Sequence, residues 1–187
     1  ALASGNAVVV KSPEMTPLAM TLLATACEKA GIGIGETKGA LSILCGVGSE
    51  VGAALVANTK VDQIVFTGSV PTGQHILKSA ADNATPCVME LGGKSPFIVF
   101  EDADIESAVN GCVGGIFAAT GQSCVAGSRL YVHEDIADEF LEKLTAIAKA
   151  VNIGDPMLDE TEMGPLCTQG QLDHIKTQVA LAVEEGG

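Results

Sequence analysis

The sequence predicts an α/β protein organised on a doubly wound parallel sheet, and three observations carry that expectation. Short Val- and Ile-rich runs alternate with longer helical stretches, the rhythm of strand–helix–strand units. Hydrophobic residues make up 47% of the 187, enough to bury a core. Bulky side chains are scarce, with no Trp and one Tyr against 22 Gly, a balance that lets helices pack closely on a sheet.

The elements follow in order. Residues 7–11, AVVVK, read as a short buried strand after the turn Ser-Gly-Asn. A helix follows in TPLAMTLLATACEKAG, with Thr16 expected as N-cap, Pro17 at the first helical position and Gly31 as C-cap. LSILCG is a second strand, EVGAALVAN a second helix, QIVFTGS a third strand, PTGQHILKSAADN a third helix and TPCVMEL a fourth strand. The rhythm breaks at LGGKSP, where two glycines and a proline predict a boundary between a domain of residues 1–92 and another of residues 93–187. Beyond it come the strand FIVF, an Asp-capped helix expected from about Asp104 to Thr120, a cysteine-bearing turn and the strand SRLYVH. A charged helix over about 136–150 and a last helix in TQGQLDHIKTQVALAVEE complete the reading. The opening ALASGNAVVVK and the closing VEEGG lead us to expect a piece of a longer protein.

Composition narrows the function classes. A formal net charge of −13 argues against nucleic acid, whose phosphates require clustered Lys and Arg. No apolar run reaches the roughly 18 residues of a membrane span. The six cysteines show neither a CxxC pair nor zinc-ligand spacing with histidine. They read as reduced thiols in a reducing compartment, which gives the expectation of a cytoplasmic protein.

Two residues stand apart. Cys124 lies in AATGQSCVAG, after a Gly-Gln-Ser turn and before Val-Ala-Gly, whereas the other five cysteines have apolar or helix-forming neighbours. A glycine-rich turn gives a thiol access and offers backbone N–H groups to a developing oxyanion. The competing possibility is a buried structural cysteine. A Cys-His hydrolase would further require the fold to bring His75, His133 or His174 to Cys124. Glu90 lies next to last in the apolar strand TPCVMEL, one residue before Gly92-Gly93. A carboxylate at a strand's carboxyl end lies where open α/β sheets place ligands, and there it is a candidate general base.

Other signals point to a dinucleotide. GVGSEVG, with Gly48 and Gly52, resembles a dinucleotide fingerprint carrying one residue too many. FTGSVPTG places Gly68 and Ser69 after a strand and Gly73 in the first helical turn, where a pyrophosphate can approach the backbone. Lys11 and Glu14, in VVVKSPE, set a cation and a carboxylate at the mouth of the sheet. A carboxylate there accepts hydrogen bonds from ribose hydroxyls and repels a 2′-phosphate, favouring NAD over NADP.

Together these stretches resemble the aldehyde dehydrogenase superfamily. MELGGKSP is similar to its glutamate signature and ATGQSCVAGSR to its cysteine signature, 34 residues apart (124 minus 90). KSPEMTP, FTGS and IGDP…MGPL fall in the family's order. The resemblance implies a Rossmann-like coenzyme domain followed by part of a catalytic domain. It implies oxidation of a small-molecule aldehyde to a carboxylic acid with NAD, NADP being the alternative coenzyme. Cys124 would be the nucleophile that carries thiohemiacetal and thioester, and Glu90 the activator of the hydrolytic water. Lys11 and Glu14 would contact the adenosine ribose, Gly68, Ser69 and Gly73 the pyrophosphate, Gly48 and Gly52 the adenine side, and Leu91 the nicotinamide. No metal is implied. The resemblance also implies a homo-oligomeric parent, an oxyanion-hole asparagine before residue 1 and a nicotinamide-ribose contact after residue 187. Ala119 stands where the family often has Asn. Two other readings remain at this point: a coenzyme A-acylating relative, which Glu90 argues against, and a binding or structural protein of the same fold without turnover.

Overall fold

The computed structural model describes residues 1–33 and 38–187. The chain divides into two compact units, Ala1–Glu90 and Leu91–Gly187. The first holds β1 (Val8–Lys11), α1 (Leu18–Lys29), β2 (Leu41–Leu44), α2 (Ala53–Val56), β3 (Ile64–Gly68), α3 (Val70–Ala81) and most of β4 (Cys87–Leu91). The second holds β5 (Pro96–Val99), α4 (Ile105–Phe117), β6 (Arg129–Val132), α5 (Ala137–Ala150) and α6 (Gln169–Glu184).

The α/β class and the strand–helix alternation agree with the sequence. The strands pair as three two-stranded sheets, β1 with β2, β3 with β4 and β5 with β6. β1 and β2 run parallel with Lys11 opposite Leu44, and β5 and β6 run parallel with Pro96 opposite Arg129. Each parallel pair is joined through a helix, as parallel strands require a crossover.

Four helix boundaries differ from expectation. Thr16 does not cap α1. Pro17 occupies that place with φ −77° and ψ −19°, already helical, and its carbonyl accepts from the N–H groups of Met20 and Thr21. Proline's ring sets this φ without a capping side chain. At the other end Ala30 takes the cap and Gly31, at φ +79°, follows it, while the Ile32 N–H donates to the Cys27 carbonyl at 2.8 Å. The second predicted helix opens with a wide π-type turn, Gly48–Gly52, before α2. The predicted helix to Thr120 stops at Phe117 because Ala119 and Thr120 turn left-handed.

Caps at other helices match their residues. Ser69 accepts from the Thr72 N–H, Asp104 from Ser107 and Thr168 from Gln171. Two cores support the elements. In the second unit Val99, Val109, Cys112 and Phe140 pack together, with Phe97, Ile105, Leu130 and Leu144 against them. Phe140 is fully enclosed, and burying such a side chain stabilises by about 1.5–3 kcal/mol. In the first unit Val56, Ile64 and Ala80 form a smaller cluster with Val61, Ile76 and Cys87. Among the described residues no helix is long and apolar enough to cross a membrane.

Candidate active site

Lys11 is the last residue of β1, and the parallel register puts the end of β2 beside it. The chain leaves β2 through Cys45 and Gly46. Lys11 Nζ donates to the Gly46 carbonyl at 3.4 Å and to Glu14 Oε1 at 3.3 Å. Glu14 Oε1 also accepts from the Gly48 N–H. One carboxylate thus ties the loop after β1 to the first turn after β2, at the carboxyl ends of two parallel strands. The Gly48 N–H and then the Lys11 ammonium hold the Glu14 carboxyl below its ordinary range. Gly52 lies along the Lys11 stem: a Cβ there would sit 3.8 Å from Lys11 Cδ.

This corner also requires Gly46, the first glycine of GVGSEVG. Its φ of +145° lies outside the range of most side chains, and a Cβ would meet Val51 Cγ2 at 2.5 Å. The Gly-Val-Gly run carries the signal, since a glycine directly after a strand can take a positive φ.

Gly68, Ser69 and Gly73 form a second group, on the turn from β3 into α3. Ser69 caps the helix, its hydroxyl 2.9 Å from Thr72 Oγ1, and the buried Gly73 donates its N–H to the Ser69 carbonyl at 2.9 Å. Among the described residues no hydrogen bond joins this group to the Lys11–Glu14 corner. Both groups suit a dinucleotide: an anionic phosphate at a helix start, and a cation with a hydroxyl-accepting carboxylate at a strand mouth.

Glu90 is exposed on β4 and closes the first unit; half-buried Leu91 opens the second. Within the second unit, the segment after Leu91 runs beside the cysteine turn at the amino end of the β5–β6 pair. A Cβ on Gly93 would lie 3.4 Å from the Cys124 carbonyl oxygen. Arg129 fixes the segment by donating its Nε to the Lys94 carbonyl at 2.8 Å and its backbone N–H to Ser95 at 3.2 Å.

Cys124 is exposed, whereas Cys112, twelve residues earlier (124 minus 112) on α4, is buried in the core. Burial pushes the Cys112 thiol up from its usual range, which keeps it protonated and unreactive. The turn between them is strained. Ala119, Thr120 and Gly121 adopt φ of 51°, 58° and 70°, and a non-glycine residue held there costs on the order of 1–3 kcal/mol. The Gln122 N–H and Nε2 both donate to the Ala119 carbonyl, and the Ala126 N–H to Ser123. Gly127 then passes so close to Phe97 that a Cβ would stand 2.9 Å from Phe97 Cβ. The sequence signature marked the cysteine; it gave no sign of the left-handed run before it.

All six cysteines are free. No hydrogen bond or ion pair joins a histidine to Cys124 among the described residues. His133 lies 3.7 Å from carboxylate oxygens of Glu101 and Asp135, and His174 sits on the exposed face of α6. The Cys-His alternative finds no support there. Among the described residues no group of three His, Cys, Asp or Glu side chains is placed to hold a metal.

The sequence matches the aldehyde dehydrogenase family over residues 1–187. It is 46% identical over 186 residues to (Z)-2-((N-methylformamido)methylene)-5-hydroxybutyrolactone dehydrogenase of Acinetobacter baylyi, and 42% identical to betaine aldehyde dehydrogenase of Brucella anthropi. Each alignment covers 100% of this chain and 37% of the relative. Among solved structures, betaine aldehyde dehydrogenase from Staphylococcus aureus in complex with NAD+ superposes with a TM-score of 0.93 at 38% identity, over 99% of this chain and 36% of that one. PnpE in complex with nicotinamide adenine dinucleotide gives 0.89 at 43% identity, over 99% and 37%. The chain therefore spans a little over a third of the length of the relatives it matches. With its strand–helix units, its exposed Cys124 and a match along its whole length, the chain belongs to the aldehyde dehydrogenase family.

Proposed function

We propose that this chain supplies the nucleophile and much of the coenzyme contact of an enzyme that oxidises an aldehyde to a carboxylic acid with NAD. The observation that carries the reading is the exposure of Cys124 just after the left-handed run of Ala119, Thr120 and Gly121, a setting that the other exposed cysteines, Cys45 and Cys167, lack. NAD-bound relatives of the same fold support the choice of coenzyme.

Cys124 Sγ, as thiolate, bonds to the aldehyde carbon while the carbonyl π pair moves onto oxygen, giving a thiohemiacetal. Backbone N–H groups of the turn stabilise that developing charge. Bound NAD supplies the acceptor for the hydride lost as the thiohemiacetal becomes a thioester. Glu90 removes a proton from water; the water oxygen bonds to the acyl carbon, the C–S bond breaks, and Cys124 recovers its thiolate as the acid leaves. Lys11 and Glu14 hold the adenosine ribose, with Gly48 and Gly52 beside the adenine. Gly68, Ser69 and Gly73 receive the pyrophosphate, and Leu91 lies against the nicotinamide ring.

Peptide mass spectrometry after limiting iodoacetamide, at slightly acidic pH with and without NAD, tests the nucleophile. Cys124 is expected to be alkylated first, at a rate NAD changes. Six thiols reacting alike in a folded sample would remove the basis of the proposal. In the complete enzyme, Glu90→Gln should leave a single-turnover burst of NADH while acid release stalls; loss of the burst itself would assign Glu90 a different role.

A further inference from the structure

The turn that presents Cys124 has an anchor that the reaction scheme does not use. Thr120 lies in its strained centre, half-buried, and a β-branched side chain rarely tolerates a φ of 58°. Its Oγ1 donates to the Gly164 carbonyl at 3.2 Å, 44 residues downstream. Among the described residues this is the one side-chain hydrogen bond that links residues 118–128 to the rest of the chain.

The acceptor is itself fixed. Ile153 and Met163 form a parallel bridge, and the Gly154 N–H donates to the Met163 carbonyl at 3.1 Å. The Asn152 carbonyl accepts from the Glu162 and Met163 N–H groups, while its side-chain Nδ2 donates to the Glu160 carbonyl at 2.7 Å. Gly164 lies against Pro156, where a Cβ would be 3.5 Å from the ring. Glycine at position 120 would relieve the backbone but leave this closed loop unreached.

We propose that Thr120 is a positioning residue for Cys124: its hydroxyl, tied to the Gly164 carbonyl, holds the left-handed turn in the conformation that presents the thiol. The inference rests on Cys124 being the nucleophile. A side chain that merely satisfied Gly164 would affect stability without touching the preference among thiols.

The test uses Thr120→Val, which keeps the branched shape without the donor, Thr120→Ser, which keeps the donor, and Thr120→Gly, which relieves the backbone. Two readouts are taken on the full chain: alkylation of Cys124 relative to the exposed Cys45 and Cys167, and amide exchange at Gln122 and Ala126. In Thr120→Val, Cys124 should fall to the rate of the other exposed thiols. The two amides should exchange about fivefold to tenfold faster, the factor that one ordinary hydrogen bond represents. Thr120→Ser should restore both. Thr120→Gly should fold at least as stably as the natural chain yet lose the preference, which separates positioning from folding. Thr120→Val with an unchanged Cys124 preference and unchanged exchange would overturn the inference. If the natural chain shows no preference for Cys124, the nucleophile reading fails, and the exchange data alone decide whether the tether holds the turn.

Discussion

The Lys11–Glu14 corner and the Cys124 turn are built by opposite means. The corner is an electrostatic junction: one carboxylate accepts from the ammonium of the last residue of β1 and from a backbone N–H beyond β2. The turn is a backbone device: three successive left-handed residues, braced by local hydrogen bonds, a threonine tether and a glycine pressed on Phe97. Charge and solvent should therefore tune the first, and packing the second.

Packing gives the largest expected effect. Phe140→Ala empties the centre of the core against which α4 packs, the helix that leads into the turn. A loss of about 3–5 kcal/mol is expected, read as a lowered denaturation midpoint with Cys112 newly open to alkylation. A protected Cys112 in the variant would mean that the packing of α4 does not depend on Phe140.

A milder change addresses the coenzyme side. Ser69→Ala removes the cap of α3 and should lower stability by about 0.5–2 kcal/mol, measured by denaturant titration, with no change in Cys124 alkylation. An altered Cys124 rate would break the distinction drawn between the two regions.

The smallest effect sharpens the electrostatic half. Glu14 has its folded pKa lowered from 4.5, so it contributes stability that is present above that pH and lost as pH falls through the folded value. Glu14→Gln should flatten the pH dependence of the denaturation midpoint below about pH 4.5, the ordinary value of the group, and do little near neutrality. An unchanged acid limb would show that the Gly48 and Lys11 contacts do not persist in solution.

Much of this was legible in the chain. Capping by Ser69, Asp104 and Thr168 follows from short polar side chains that satisfy the first N–H groups of a helix. The strand positions follow from Val- and Ile-rich runs bounded by turn residues. The errors are local and physical. Thr16 was displaced as a cap because Pro17 is already helical, and α4 ends at Phe117 because Ala119 and Thr120 adopt a left-handed conformation that neither residue favours.

By itself the sequence determined the α/β class, the candidacy of Cys124 and Glu90, and their separation, because those depend on residue type, order and local periodicity. Only the tertiary structure decided that Cys112 is buried while Cys124 is exposed, that Gly46 must be glycine, and that Glu14 reaches Gly48 across 34 residues (48 minus 14). Burial, ligand-like pairing and positive φ at Thr120 are set by groups distant in the chain. Composition near a residue cannot encode which distant atoms will surround it.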